Sequence, residues 1–252
     1  EGKNIFKKRW LSRIGLFASK YNPNPLKEQL KAIFKNTTLG DIEKPLLINA
    51  TDIGNSTQFV FKTTFNGQQD SNGNTKELVR DKEILLSDAI LASSSAPIFF
   101  PPHKIGNFLL ADGGLWANNP SLVALTEGLG KIKEFNNGVK ISLDNIKLLS
   151  IGTGIGHKYY DVSNHESDNW GFIRKWKSSQ LVDTILNLQS INVHNTVNFM
   201  LPKNNYIRIN FESDSELSLD KVDIIPTLEA KAGRDFTNNT ESIANLLDIC
   251  IK

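Results

Sequence analysis

A short apolar run, Phe108-Leu109-Leu110-Ala111, stops abruptly at Asp112-Gly113-Gly114, and no other stretch constrains the fold as much. Pro97, Pro101 and Pro102 lie upstream. Proline lacks the amide donor and clashes with the preceding turn, so helix is forbidden there. An apolar run of this length between breakers reads as a buried strand. A carboxylate therefore stands at the C-terminal tip of a strand, the end of an open α/β sheet where ligands sit. Asn119-Pro120 follows and suits the start of a helix from Pro120 to about Leu129: the asparagine caps free amides, and the proline gives up a hydrogen bond that the first turn does not make.

The rest of the chain alternates in the same way. Asn24 caps and Pro25 opens a helix with Leu26, Leu30, Ile33 and Phe34 on one face. Pro45–Thr51 and Thr57–Thr64 read as two strands joined at Gly54-Asn55, a hairpin. Residues 66–75 have loop composition. Ser87-Asp88 begins a short helix running to about Ser95. Ile146–Ile151 is another buried-type strand, ending in Gly152-Thr153-Gly154-Ile155-Gly156. A long helix is predicted over Ile173–Met200, with Leu181, Ile185, Leu188 and Val197 inward. Asn205–Phe211 then reads as a strand and Ser242–Ile251 as a closing helix. Apolar strands of this kind alternating with helices predict an α/β fold with a mainly parallel central sheet and helices on both faces. No Pro/Ser-rich linker interrupts the 252 residues, so a single domain is expected.

Composition excludes several functions. Residues are 39% hydrophobic and 22% charged, a globular balance, and the formal net charge is +2, too small to support nucleic-acid binding. Cys250 is the only cysteine, which rules out an internal disulfide and favours a reducing, cytoplasmic setting. No apolar run reaches the roughly 18 residues needed to span a bilayer. His103, His157, His165 and His194 lack metal-ligand spacing, so no metal is expected. A dinucleotide loop would need glycine where His157 stands, so no cofactor is expected either. The basic and aromatic residues Lys7, Lys8, Arg9, Trp10, Phe17 and Tyr21 are compatible with peripheral membrane contact, although such segments more often lie on their own domain.

Asp112 is the candidate reactive group. At a strand tip it can act as a general base toward a nearby hydroxyl. Gly113 and Gly114 allow a tight turn and close backbone approach. The plainer alternative is a turn in which Asp112 only binds its own backbone.

The surroundings favour the first reading. In order they run Ala92-Ser93-Ser94-Ser95-Ala96-Pro97, Phe99-Phe100-Pro101-Pro102-His103, Leu109-Leu110-Ala111-Asp112-Gly113-Gly114-Leu115-Trp116-Ala117-Asn118-Asn119-Pro120 and Leu149-Ser150-Ile151-Gly152-Thr153-Gly154. This succession resembles the patatin-like phospholipases, closely over about residues 45–156 and loosely beyond. The resemblance implies a three-layer sandwich and a lipid acyl hydrolase whose Ser–Asp dyad works without histidine, with Asp112 as base. It implies a phospholipid or other lipid ester as substrate. Gly113, Gly114 and Asn118 would support the motif, and Trp116 and Phe99 would either line an acyl pocket or serve as ordinary core aromatics.

The family's other half is not in these residues. No G-x-S-x-G occurs, and Gly113-Gly114 is the only glycine pair, so a Gly-rich oxyanion segment is also lacking. Gly54-Asn55-Ser56-Thr57-Gln58 leads into a strand and cannot be a nucleophile elbow. Ser56 is a turn residue, and Ser93, Ser94 and Ser95 a packed helix end. Glu1-Gly2-Lys3-Asn4-Ile5 reads as the interior of a longer polypeptide. The expectation is that the serine, the oxyanion segment and the first strands of the sheet lie upstream in that polypeptide. The alternatives are a non-catalytic lipid-binding or regulatory domain of the same fold and a phospholipase gated by a signal.

Overall fold

The computed structural model describes residues 5–6, 18–63, 79–135, 142–156, 178–214 and 217–248. The segment Lys7–Phe17, the loop at 66–75, His157, His165 and Cys250 lie outside the described residues. The chain divides into two compact units, Glu1–Asn118 with Glu134–Asn137, and Asn119–Lys133 with Gly138–Lys252. Among the described residues no helix is long and apolar enough to cross a membrane.

The first unit begins with α1 (Asn24–Phe34). Pro25 sits in its first turn as expected, but the helix starts one residue earlier than predicted. Asn24 is inside it, and its amide donates to Asn22 Oδ1 at 3.0 Å, so the asparagine two residues upstream serves the free donor. The next elements are β1 (Leu47–Asp52), β2 (Thr57–Lys62), α2 (Val79–Lys82) and α3 (Leu86–Ser93). β3 (His103–Ile105), β4 (Phe108–Asp112) and α4 (Gly114–Ala117) complete it. Ser87 does not cap α3: its hydroxyl is buried without a hydrogen-bond partner, and Leu85 precedes the helix instead.

The expected hairpin forms, with β1 and β2 antiparallel from Leu47↔Lys62 to Asp52↔Thr57. Its turn is closed by Asp52, which takes the Gly54 amide at 3.0 Å and the Asn55 side chain at 2.7 Å. Ser56 has φ 53° and is indeed a turn residue. The four strands lie in the order β2-β1-β4-β3, and every neighbouring pair is antiparallel. The expectation of a mainly parallel sheet is therefore wrong for this unit. Hydrophobic patterning reports burial and not strand direction. Direction here comes from a second hairpin, β3–β4, which turns at Gly106 with φ +54°. Phe61, Ala50 and Leu110 are fully buried and pack with Ala89 and Ala92 of α3, whose small side chains let helix and sheet approach closely. β2 is fastened by Asp81, which accepts the Lys62 amide at 2.9 Å and is neutralised by Arg80 at 2.5 Å.

The second unit contains α5 (Ser121–Phe135), β5 (Leu148–Ile151), β6 (Ile155–Gly156), α6 (Ser178–Met200), β7 (Tyr206–Ile209), β8 (Glu212–Ser213) and α7 (Ile225–Leu247). Asn119 caps α5 through the Ser121 amide at 3.1 Å. Parallel pairing occurs here alone among the described strands, β5 with β7 and β6 with β8. The core gathers Leu125, Val193, Val197, Leu201 and Tyr206. Ile185 and Leu188 do not face inward as expected and are 54% and 61% exposed. With about 3.6 residues per turn, Leu188 lies half a turn away from buried Val197, and the two cannot share a face. The closing helix also begins well before Ser242, at Ile225, with Pro226 in its first turn.

Phe61 sits at the centre of the first unit, so Phe61→Ala is expected to lower unfolding stability by about 3–5 kcal/mol, through lost burial and the cavity left behind. Urea denaturation followed by circular dichroism measures it.

Candidate active site

Asp112 is the last residue of β4, opposite Ala50 of the central strand β1. Its backbone is held on both sides. The Thr51 hydroxyl donates to the Asp112 carbonyl at 2.7 Å, and the Asp112 amide donates to the Ser95 carbonyl at 3.1 Å. The Gly113 amide reaches the Ser93 carbonyl at 3.4 Å. The Ser93-Ser94-Ser95 end of α3 thus contributes backbone carbonyls to the site. The Ser95 hydroxyl is buried and bonded to the Leu91 carbonyl at 2.7 Å, as expected of a packed helix end.

The carboxylate turns back on its own loop. Asp112 Oδ1 accepts the Gly114 amide at 2.6 Å, while Oδ2 accepts no hydrogen bond from the described residues. Burial disfavours the charged form and raises the carboxyl's affinity for protons, with the Gly114 amide opposing it more weakly. The backbone turn of the plainer alternative is therefore present. It engages one oxygen and leaves the other available, in a carboxylate made more basic than usual.

The two glycines contribute close approach, not unusual torsions. Gly113 has φ −67° and ψ −22°, values open to any residue. A Cβ there would overlap the Asn49 carbonyl of β1, so the loop could not lie against the strand. At Gly114 a Cβ would stand 2.9 Å from Asp112 Oδ1, crowding the carboxylate away from its amide partner. Trp116 donates its indole N–H to the Ala50 carbonyl at 2.8 Å, which locks the short helix α4 onto β1. Asn118 is exposed, four residues beyond Gly114. Phe99 stacks with Tyr21, ring centroids 6.4 Å apart, in an aromatic group that includes Phe100.

Sequence reading missed Thr51 and Asn49. Thr51 carries no local signal, because its role depends on the cross-strand register. Asn49 Oδ1 is buried without a hydrogen-bond partner beside Gly113, and strand periodicity gives no hint of it. Among the described residues no group of three or more His, Cys, Asp or Glu side chains could hold a metal ion.

An antiparallel strand pair thus presents a half-satisfied aspartate over a Gly-Gly turn in a unit of mixed helices and strands. Residues 2–125 match the family model of patatin-like phospholipases, and this part of the chain belongs to that family. Over 99% of its length the chain is 29% identical to a cGAMP-activated phospholipase of Escherichia coli, covering 66% of that protein. It is 30% identical to a cGAMP-activated phospholipase of Pseudomonas aeruginosa, over 87% of this chain and 61% of the relative. It is 27% identical to Patatin-like protein 4 of Arabidopsis thaliana, over 79% and 52% respectively. The chain therefore spans between about half and two thirds of the length of these relatives.

The carboxylate and the glycine beside it both bear on stability. Asp112 binds its proton more tightly in the folded chain, so stability falls as pH rises from the unfolded carboxyl value of 3.8 through the raised folded value. Asp112→Asn keeps an acceptor for Gly114 and is expected to raise the melting midpoint at pH 7, with the gain vanishing as pH falls toward and below 3.8. Each kcal/mol gained moves the midpoint by about 2–4 °C in a chain of this size. Gly113→Ala is expected to cost about 1–3 kcal/mol, because backbone must move to admit the methyl. Scanning calorimetry across pH reads both.

Proposed function

We propose that this chain is the base-bearing part of a lipid acyl hydrolase of phospholipase A or lysophospholipase type, in which Asp112 activates a serine supplied by polypeptide outside these 252 residues. The observation that carries the proposal is the Asp112 carboxylate: anchored through Oδ1, open at Oδ2 and made more basic by burial. Membership of the phospholipase family over residues 2–125 supports the lipid ester as substrate. The partial coverage of longer relatives supports a serine and oxyanion donors lying elsewhere in the protein.

In the proposed reaction, Asp112 Oδ2 takes the proton of the serine hydroxyl as the serine oxygen bonds to the ester carbonyl carbon. The carbonyl electrons move onto oxygen, where amide donors from the remaining polypeptide stabilise them. The tetrahedral species collapses, the lipid alcohol leaves with the proton held by Asp112, and an acyl-serine remains. Water then gives a proton to Asp112 as its oxygen bonds to the acyl carbon, and the departing serine oxygen takes that proton back as the fatty acid is released. Gly113 and Gly114 hold the carboxylate's geometry, Asn118 supports the turn, and Trp116 with Phe99 lines the acyl side. No metal or cofactor takes part. The enzyme acts from the cytoplasm, peripherally at a membrane. The names of the two bacterial relatives support control of the activity by a cyclic nucleotide signal.

The complete reading frame is expected to encode G-x-S-x-G before Glu1, and a fluorophosphonate probe to label that serine in the intact protein. Asp112→Ala is expected to lower phospholipid hydrolysis by about 10³-fold or more, because the dyad acts as a unit. Near-normal turnover by the mutant overturns the assignment. Absence of both the motif and probe labelling favours the non-catalytic alternative.

A further inference from the structure

Helix α6 has two unlike sides. Its inner side puts Val193 and Val197 into the core of the second unit, and Asp183, Asn187 and His194 line a cavity together with Arg208, which Leu188 and Ile191 also border. The outer side is apolar and uncovered. Ile185, Leu188 and Ile191 are exposed, and Phe199 is 91% exposed. Leu188 and Phe199 are about three helical turns apart and fall in line, with Ile185 and Ile191 to either side of Leu188. Asn192 and Asn195, also exposed, lie between them on the same stripe. Single exposed apolar side chains are ordinary, but a row of them on one helix face marks a contact surface.

The composition of the helix narrows what covers it. Among its 23 residues Asp183 is the only acidic one, and there is no lysine or arginine. A helix turned to water carries charges on its outer side. A helix lying on a bilayer carries lysine and arginine beside its apolar face. α6 does neither. Protein interfaces, by contrast, lose charge and gain aromatic residues at their centre.

A second copy of the same helix matches the stripe residue by residue. Two copies laid antiparallel, with a two-fold axis level with the peptide between Val193 and His194, put Leu188 against the partner's Phe199 at both ends of the contact. The same axis puts Asn192 against the partner's Asn195. Each amide both donates and accepts, so the pair satisfies itself, once on each side of the axis. No like charges meet, because the stripe has none. The apolar pair and the amide pair share one midpoint, so a single register serves both. A polar pair inside an apolar stripe fixes that register, as a buried asparagine does in coiled coils.

We propose that the chain forms a two-fold dimer through the outer face of α6, held by the Leu188–Phe199 contacts and the Asn192–Asn195 amide pairs. The surface belongs to the second unit and does not involve Asp112, so the dimer stands or falls apart from the reaction assigned to that residue.

Sedimentation velocity of the full chain over a range of concentrations tests it, and a monomer–dimer equilibrium is expected. Leu188→Lys and Phe199→Glu are each expected to weaken the dimer at least about 10-fold at an unchanged melting midpoint of the monomer, since both side chains are exposed. The double variant is expected to recover most of that loss, because opposite charges then meet across the axis. In a Cys250→Ser background, Leu188→Cys with Phe199→Cys is expected to oxidise to a covalent dimer. Neither cysteine alone does so, because the two copies of one residue stand about 16 Å apart along the helices, beyond disulfide reach. If a charged variant does not fold, the cross-link decides. A chain that stays monomeric, a dimer indifferent to the folded single variants, or a double variant no tighter than the singles overturns the proposal. A monomer that cosediments with phosphatidylcholine vesicles, and no longer does so after Phe199→Glu, overturns it in favour of a membrane anchor.

Discussion

Where β1 and β4 run side by side, three residue pairs from Ala50↔Asp112 to Asp52↔Leu110 form a seam from which the candidate active site hangs. The seam sets Thr51 beneath the Asp112 carbonyl, brings the Ala50 carbonyl within reach of the Trp116 indole, and presses Gly113 against Asn49. Leu110 and Ala50, both fully buried, supply its apolar grip. Slipping the register by one residue would send Asp112 to the opposite face of the sheet and expose what is now core. The position of the carboxylate is therefore tied to burial of the first unit's core.

Three carboxylates in this unit show how environment separates structure from chemistry. Asp52 and Asp81 are almost wholly buried, and each has donors on both oxygens: Gly54 and Asn55 for the first, Lys62 and Arg80 for the second. A buried charge so paired closes a turn or fastens an edge strand and has no capacity left for a substrate. Asp112 is less buried and less satisfied, with a single amide on one oxygen. The unmet capacity costs stability, and groups perturbed in this way cluster at functional sites. Arg208 in the second unit is the cationic counterpart, a charge oriented by hydroxyls and paired with no carboxylate among the described residues.

The motifs and their order were legible in the residues because they are local. Strand Phe108–Ala111, the turn at Asp112, the cap at Asn119 and the hairpin at Gly54-Asn55 each arise from steric or hydrogen-bonding rules acting over a few residues. The inner face of α6 was misread because apolar residues occur all around that helix, and only packing chose Val193 and Val197 over Ile185 and Leu188. The polar face of α6 escaped notice for the same reason: Asp183, Asn187 and His194 look like solvent-facing residues until Arg208, distant in sequence, lies opposite.

By itself, the sequence determined where strands lie, which residue ends the critical strand, and which family that succession of motifs belongs to. Those properties are set by backbone sterics and side-chain chemistry within a few residues. Tertiary structure alone decided that β1, β2, β3 and β4 pair antiparallel, that Gly113 is required for its missing side chain and not for its torsions, and that one oxygen of Asp112 takes no hydrogen bond from the described residues. Strand direction and residual hydrogen-bonding capacity depend on partners tens of residues away, and no local pattern encodes them.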